Sequence, residues 1–383
     1  MALQFTRNAK VYIVDTTTVS NNCWQVNVLD GFSFGQTVNS TEITVNEAGA
    51  TSRRARLLFN DSLAPAEWSF ATYVRPYINT TASPDQVRAP EAVLWAMLMG
   101  ADGYTPATGV FDYNGSAINT PGEGLSTPIS NNVFDFSQSN QSSFSEGWEI
   151  IVAFEDGINK QYYKLDKAVV NSATIDFDIE GIATIQWSGF ASNIIDLGTA
   201  LTGADNTNVS AAITDGLDES CAIIRNRIST VDLTRSDTSP DLTYTVVLTG
   251  GSFTIENNIT YLTPEELGVV NQPCVNITGT RSISGNLTCY LDNKTESPTY
   301  YSGDLFGDLV ADTTTVRNVF NMSVNIGGTT ASTPRLYLDL PTAHLEVPAI
   351  GVEDLITLDI AFHGQVAGGD VDLTNEATII YNA

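Results

Sequence analysis

The chain has 383 residues, 42% of them hydrophobic, which suffices for a real core and for roughly two domains of ordinary size. Its 44 acids against 17 bases leave a net charge of −27, which argues against gripping nucleic acid through its phosphates. No apolar run is long enough to span a bilayer, and the opening MALQFTRNAK has no apolar signal core, so the expectation is a chain made and kept in a cytoplasm.

In chain order, AKVYIV and CWQVNVL predict an opening hairpin. AEWSFATYVR then alternates strictly, with Trp68, Phe70, Thr72 and Val74 on one face and Glu67, Ser69, Ala71, Tyr73 and Arg75 on the other. Both faces carry large groups, so the second face needs a partner of its own. APEAVLWAMLMG (89–100) predicts a helix, with Pro90 near its first turn and Gly100 as its stop. Residues 101–147 are rich in Gly, Pro, Ser and Asn and read as an inserted surface loop. SATIDFDI and ATIQWS are strands, and the small, polar 198–216 reads as a linker. AIIRNRISTV and LTYTVVL predict a second hairpin. TPEELG allows one helical turn with a capping box between Thr263 and Glu266, and SGDLFGDLVAD (302–312) a second flanking helix. LITLDIAF closes the set as a strand, so the fold class is mainly β.

The two halves align in the same order. SFGQTVNSTEITVNE (33–47) matches SFTIENNITYLTPEE (252–266), and SFATYVRP (69–76) matches NLTCYLDN (286–293). LWAMLM (94–99) matches LFGDLV (305–310), and 162–190 matches 335–363 without a gap. The separation between matches is nearly constant until the stretch 101–147, which only the first half has. The last match keeps faces: Ala183, Ile185 and Trp187 fall on Ile356, Leu358 and Ile360. The expected organisation is two modules, 1–205 with the loop insertion at about 101–147, and 206–383.

Little of this points to catalysis or to a cofactor. The two histidines, His344 and His363, stand in no catalytic or zinc motif, and His363 ends an alternating strand. There is no phosphate loop, dinucleotide fingerprint or regular calcium loop. Cys23, Cys221, Cys274 and Cys289 lack metal spacing; Cys274 and Cys289 stand where neighbouring strands would allow pairing, while a cytoplasm favours reduced core thiols. The sequons at Asn79, Asn258 and Asn286 follow from Asn and Thr richness. Asp176, Asp178 and Glu180 share one strand face, read either as a solvated sheet face or as a special acidic surface. Arg53, Arg54 and Arg56 concentrate positive charge in one loop, suited to solvent or to an acidic protein surface such as another copy.

GFSFGQTVNSTEITVNEAG, RRARLLFNDSLAPAEWSFATYVRPY, APEAVLWAMLMG and SATIDFDIEGIATIQWSGF together resemble the tail tube (major tail) proteins of long-tailed bacteriophages. TGGSFTIENNITYLTPEE, SGNLTCYL and LDLPTAHLEVPAIGVEDLITLDIAFHG look like a second module of the same kind. The resemblance implies tandem β-sandwich or barrel modules, each with a short flanking helix, that form stacked rings around passing DNA. A duplicated chain implies three subunits and pseudo-sixfold rings. It also implies an inter-ring loop at about 46–66, holding Arg53, Arg54 and Arg56. Implied partners are further copies of the chain, tail terminator and baseplate or tail-tip proteins, the tape measure protein in the lumen during assembly, a sheath protein where the tail contracts, and genomic DNA in transit without specific binding. The implied location is the virion tail, assembled in the host cytoplasm, with no enzymatic role and no cofactor.

On this reading Asp176, Asp178, Glu180, Glu353 and Asp359 should line the lumen, because the matched strands carry acids opposite their apolar faces. Tyr73 and Arg75, with Tyr290 and Asp292 at the matching positions, should lie at a module interface or against the flanking helix. Two other classes compete: a virion or cell-surface module that binds glycans, marked by an exposed aromatic platform, and a two-carboxylate glycosidase, for which no pair at a working separation is visible.

Overall fold

A computed structural model describes residues 8–17, 22–43, 57–80, 85–120, 122–123, 132–135, 142–156, 158–217, 223–235, 241–267, 269–293, 300–311, 319–328, 334–352, 355–366 and 376–382. The fold is mainly β, as the alternating runs predict. A five-stranded sheet has the order Asn193–Gly198, Lys160–Asp166, Trp148–Glu155, Ala9–Asp15, Asn22–Val26, and contains the predicted opening hairpin. The later half repeats that order with Thr378–Asn382, Arg335–Leu345, Phe320–Ile326, Thr230–Arg235 and Leu242–Thr245. Leu165 lies between Ile150 and Ile194; its counterpart Leu338 lies between Val324 and Ile379.

A second layer also occurs twice. In the first half Val169–Asp178, Thr184–Ala191, Ala66–Tyr73 and Ser33–Gly35 are successive neighbours. In the second half the order is Ala349–Val352, Ile356–Gly364, Ser282–Tyr290, Leu248–Glu256. Thr184 faces Tyr73 and Thr357 faces Tyr290; Ser33 faces Ser69 and Ser252 faces Asn286. These are the residue pairs that the sequence match equates. The gapless match of 162–190 onto 335–363 does slip once, however. Gly189 faces Val170, but its sequence counterpart Phe362 faces Leu345, two residues beyond Ala343. The later strands pair out to Val352 opposite Ile356, where the earlier ones stop at Asp176 opposite Thr184. A two-residue slide keeps every side chain on its own face.

The apolar faces meet in one large core. Its centre is the helix Ala92–Leu98, buried at all seven positions, as a helix apolar all round requires. Trp95 packs edge-to-face on Trp187 at 4.7 Å, and Trp187 donates its indole N–H to Thr72 Oγ1 at 2.9 Å. Trp68 and Phe70 are core residues, stacked at 5.0 Å. Ser302–Ala311 forms the second predicted helix and buries only Ser302, Leu305 and Leu309.

One cross-strand pair shows how tightly each half is fitted. The Trp68 ring covers Gly189, where a Cβ would come within 2.5 Å of it; in the second half the Phe362 ring covers Gly285, at the same distance. The aromatic and the glycine have exchanged strands between halves, so each fills the space the other leaves. Gly189→Val or Gly285→Val should therefore lower stability by about 1–3 kcal/mol in urea unfolding. The paired exchange Gly285→Phe with Phe362→Gly should cost less than the two single changes summed.

Several expectations change. Among the described residues of TPEELG, 263–267, no helix forms; the Glu266 N–H donates to Asn271 Oδ1 at 2.8 Å instead. The segment 101–147 is not a plain surface loop: Tyr104, Phe111, Ile118 and Phe134 enter the main core, and Asn132–Asp135 pairs with Thr378–Asn382 at the far end of the chain. Those apolar residues are too widely spaced to show a strand period. The segment read as a linker contains the helix Gly203–Ser210, and Ile213 exchanges backbone hydrogen bonds with Cys23 and Gln25 of the first half. The chain thus stays with the first half beyond residue 205. Cys23 and Cys289 are buried free thiols, Cys274 is free but exposed, and Cys221 lies outside the described residues.

Candidate functional site

The two second-layer sheets are one sheet. Leu248–Glu256 of the second half pairs with Val169–Asp178 of the first, placing Ser252 opposite Asp176, Phe253 opposite Ile175 and Thr254 opposite Thr174. Gly250 and Gly251 allow the approach, since a Cβ on Gly251 would meet the Phe177 ring at 2.8 Å. Eight strands thus run continuously from Ala349–Val352 to Ser33–Gly35.

Period-2 alternation gives this sheet an apolar face on the core and a polar face outside. The polar face is a field of hydroxyls and amides. Ser33 and Ser69 hydroxyls meet at 3.0 Å, Ser172 and Ser188 at 2.7 Å, and Thr174 and Thr254 at 3.0 Å across the seam. Ser252 donates to Asn286 at 2.6 Å and Thr288 to Asp359 at 2.8 Å. The charges among these outward side chains are Glu67, Asp176, Asp178, Glu256 and Asp359, with His363 at one corner; the eight strands contain no Lys or Arg. His363 Nε2 lies 3.1 Å from Glu346 Oε1. The serines and threonines at alternate positions were the signal for this face, and the acids alone understated it.

Asp176, Asp178 and Asp359 lie exposed on this common face, and Glu180 is exposed in the turn just beyond its strand. Glu353, Arg53, Arg54 and Arg56 lie outside the described residues. Tyr73 and Tyr290 sit at matching places on the same face, each 37% exposed. Within the chain neither is at the seam, which uses other strands.

Arg75 and Asp292 meet the flanking helices instead. The Arg75 backbone N–H donates to Glu91 Oε1 at 3.2 Å at the start of the first helix; the Asp292 N–H donates to Ser302 Oγ at 2.8 Å at the start of the second. Glu91 is 1% exposed. Burial pushes its carboxyl up to about 7, while the N–H groups of Glu91 and Arg75, the Tyr381 hydroxyl and the Arg75 guanidinium oppose the rise. Trp95 donates to the Tyr381 hydroxyl at 2.7 Å, so strand end, helix and C-terminal strand meet at one buried polar site. Because the folded pKa lies above the unfolded one, this group's contribution to stability declines as pH rises through about 4.5 to about 7. Glu91→Gln should remove that slope, worth about 3 kcal/mol across the window, as the difference between the two proteins' urea midpoints against pH.

Two arms leave the sheet. Val38–Ile43 pairs with Leu57–Leu63, exposing Leu57, Leu58 and Phe59; Thr260–Leu262 pairs with Val275–Ile277, exposing Leu262, Val275 and Ile277. The arms touch, with Leu63 N–H donating to Asn271 O at 2.8 Å. Among the described residues no group of three His, Cys, Asp or Glu side chains is placed to hold a metal, and no helix is long and apolar enough to cross a membrane.

Residues 6–364 match the family described as phage tail tube protein. The tail tube protein pb6 of Escherichia phage T5 is 31% identical over 387 residues, a match covering 100% of this chain and 76% of pb6. With the family match running nearly end to end, the chain belongs to the phage tail tube proteins.

Proposed function

We propose that the chain is a duplicated tube subunit, that three copies close into a pseudo-sixfold ring, and that stacked rings form the conduit through which DNA leaves the virion. The carrying observation is the eight-strand sheet shared by both halves, with one polar face that holds acids and no Lys or Arg. The matching strand orders and registers of the halves support duplication. Facing the lumen, Asp176, Asp178, Glu180, Asp359 and Glu353 would repel phosphates and let DNA slide. The exposed apolar arm residues suit seating on the next ring, and Arg53, Arg54 and Arg56, which precede Leu57 in the sequence, would meet its acids.

The role is structural, without cofactor or catalysis. Its partners are copies of itself, the terminator and tip proteins, the tape measure during assembly in the host cytoplasm and, in a contractile tail, a sheath. Mass per unit length of tubes assembled from the purified protein tests the stoichiometry. Three chains per ring is the expected value; six would refute the trimer and leave the tube, and a protein that stays monomeric even with its tail partners would refute both.

A further inference from the structure

The seam inside the chain specifies how one copy joins the next. In the first half, the strand Val169–Asp178 uses one edge for Thr184–Ala191 and the other for the second half's Leu248–Glu256. Its counterpart Ala349–Val352 pairs with Ile356–Gly364, and among the described residues its other edge meets no strand. At the far end Ser33–Gly35, the counterpart of Ser252–Thr254, pairs only with Ala66–Tyr73 among the described residues. One chain therefore ends in the two halves of a joint that it already makes once internally.

The ladders fix which residues correspond. Ala71, Gln186 and Thr174 form one row, and Thr288, Asp359 and Ala349 form the matching row. Ala349 therefore stands where Thr174 stands, Ile350 where Ile175 stands and Gly351 where Asp176 stands. Burial agrees: Ile175 and Phe177 are 0% and 3% exposed beneath the seam, whereas Ile350 and Val352 are 49% and 77% exposed. These apolar side chains belong to the core face of the sheet and lack the cover that the seam supplies to their counterparts.

We infer that Ala349–Val352 of one copy pairs antiparallel with Ser33–Gly35 of the next, with Ala349 opposite Gly35, Ile350 opposite Phe34 and Gly351 opposite Ser33. This repeats Thr174 opposite Thr254, Ile175 opposite Phe253 and Asp176 opposite Ser252. It rests on the ring-forming reading above and adds the edges and the register. The joint is head-to-tail, so in a ring it closes on itself and removes both exposed edges.

The gapless sequence match would instead place Ser33 opposite Ala349, two residues away. Directly opposed residues have Cα atoms about 4.5–5.5 Å apart, within disulfide reach, and a two-residue offset exceeds it. Tubes of the Ala349→Cys/Gly35→Cys protein, oxidised mildly, should give covalent dimers and higher species on a non-reducing gel. Ala349→Cys/Ser33→Cys and the single variants should not. Linking through Ser33 alone would overturn the register. As a check on the unaltered protein, amides of 33–36 and 347–352 should gain protection from hydrogen exchange on assembly; no gain in tubes that do form would overturn the joint. Failure of the unaltered protein to assemble would overturn the ring reading and this inference together.

Discussion

Trp95→Ala is expected to destabilise the folded chain by about 3–5 kcal/mol, more than either glycine substitution or the loss of Glu91. The indole is fully buried, packs edge-to-face on Trp187 and holds the Tyr381 hydroxyl at 2.7 Å. Alanine leaves a large cavity in the centre of the core. It also strips the buried Tyr381 hydroxyl of a donor at the site where it meets Glu91. Tyr381→Phe provides the comparison, since it deletes the hydrogen bond and keeps the packing; its cost should be about 1–2 kcal/mol. Calorimetry and urea unfolding of the two variants separate these contributions. A Trp95→Ala protein that unfolds within a degree or two of the parent would refute this view of the core.

Reversing the charge of the polar face should have a comparably large effect on a different observable. Asp176→Lys, Asp178→Lys and Asp359→Lys together are expected to leave folding and tube formation intact, because all three are exposed. If this face lines the lumen, the lumen would then bind phosphates, and each added lysine contributes counterion release that salt screens. Phage carrying this subunit should eject DNA more slowly, with recovery as salt is raised. Purified tubes should retain DNA at low salt where the parent does not. Normal ejection at low salt would mean that this face does not meet the DNA.

The sequence was most readable where one element meets its own neighbour. Trp68 and Phe70 announced a strand with a core face, and the run from Ala92 was too apolar for anything but a buried helix. The repeated order was visible because strand positions with equal tasks keep similar residues, as Thr184 and Tyr73 do with Thr357 and Tyr290. What stayed hidden depends on distant partners. Glu91 reads as an ordinary first-turn acid until Tyr381, near the other end of the chain, is brought to it. The seam depends on which strand edges are left open, and Gly250 and Gly251 look like turn residues in isolation. The two-residue slide at Leu345 preserves every face, so a facing argument could not detect it. Arg75 lies just beyond the strand end at Tyr73, where its backbone N–H meets the flanking helix at Glu91.

If the polar face of the eight-strand sheet lines a tube built from three chains per ring, an electron cryomicroscopy map of the assembled tail tube at side-chain resolution should show it. Three chains per ring are expected, with Asp176, Asp178 and Asp359 projecting into the lumen and Ser33–Gly35 of each chain continuing the sheet of its neighbour. A map with those carboxylates on the outer wall, or with the long sheet facing away from the channel, would rule this architecture out.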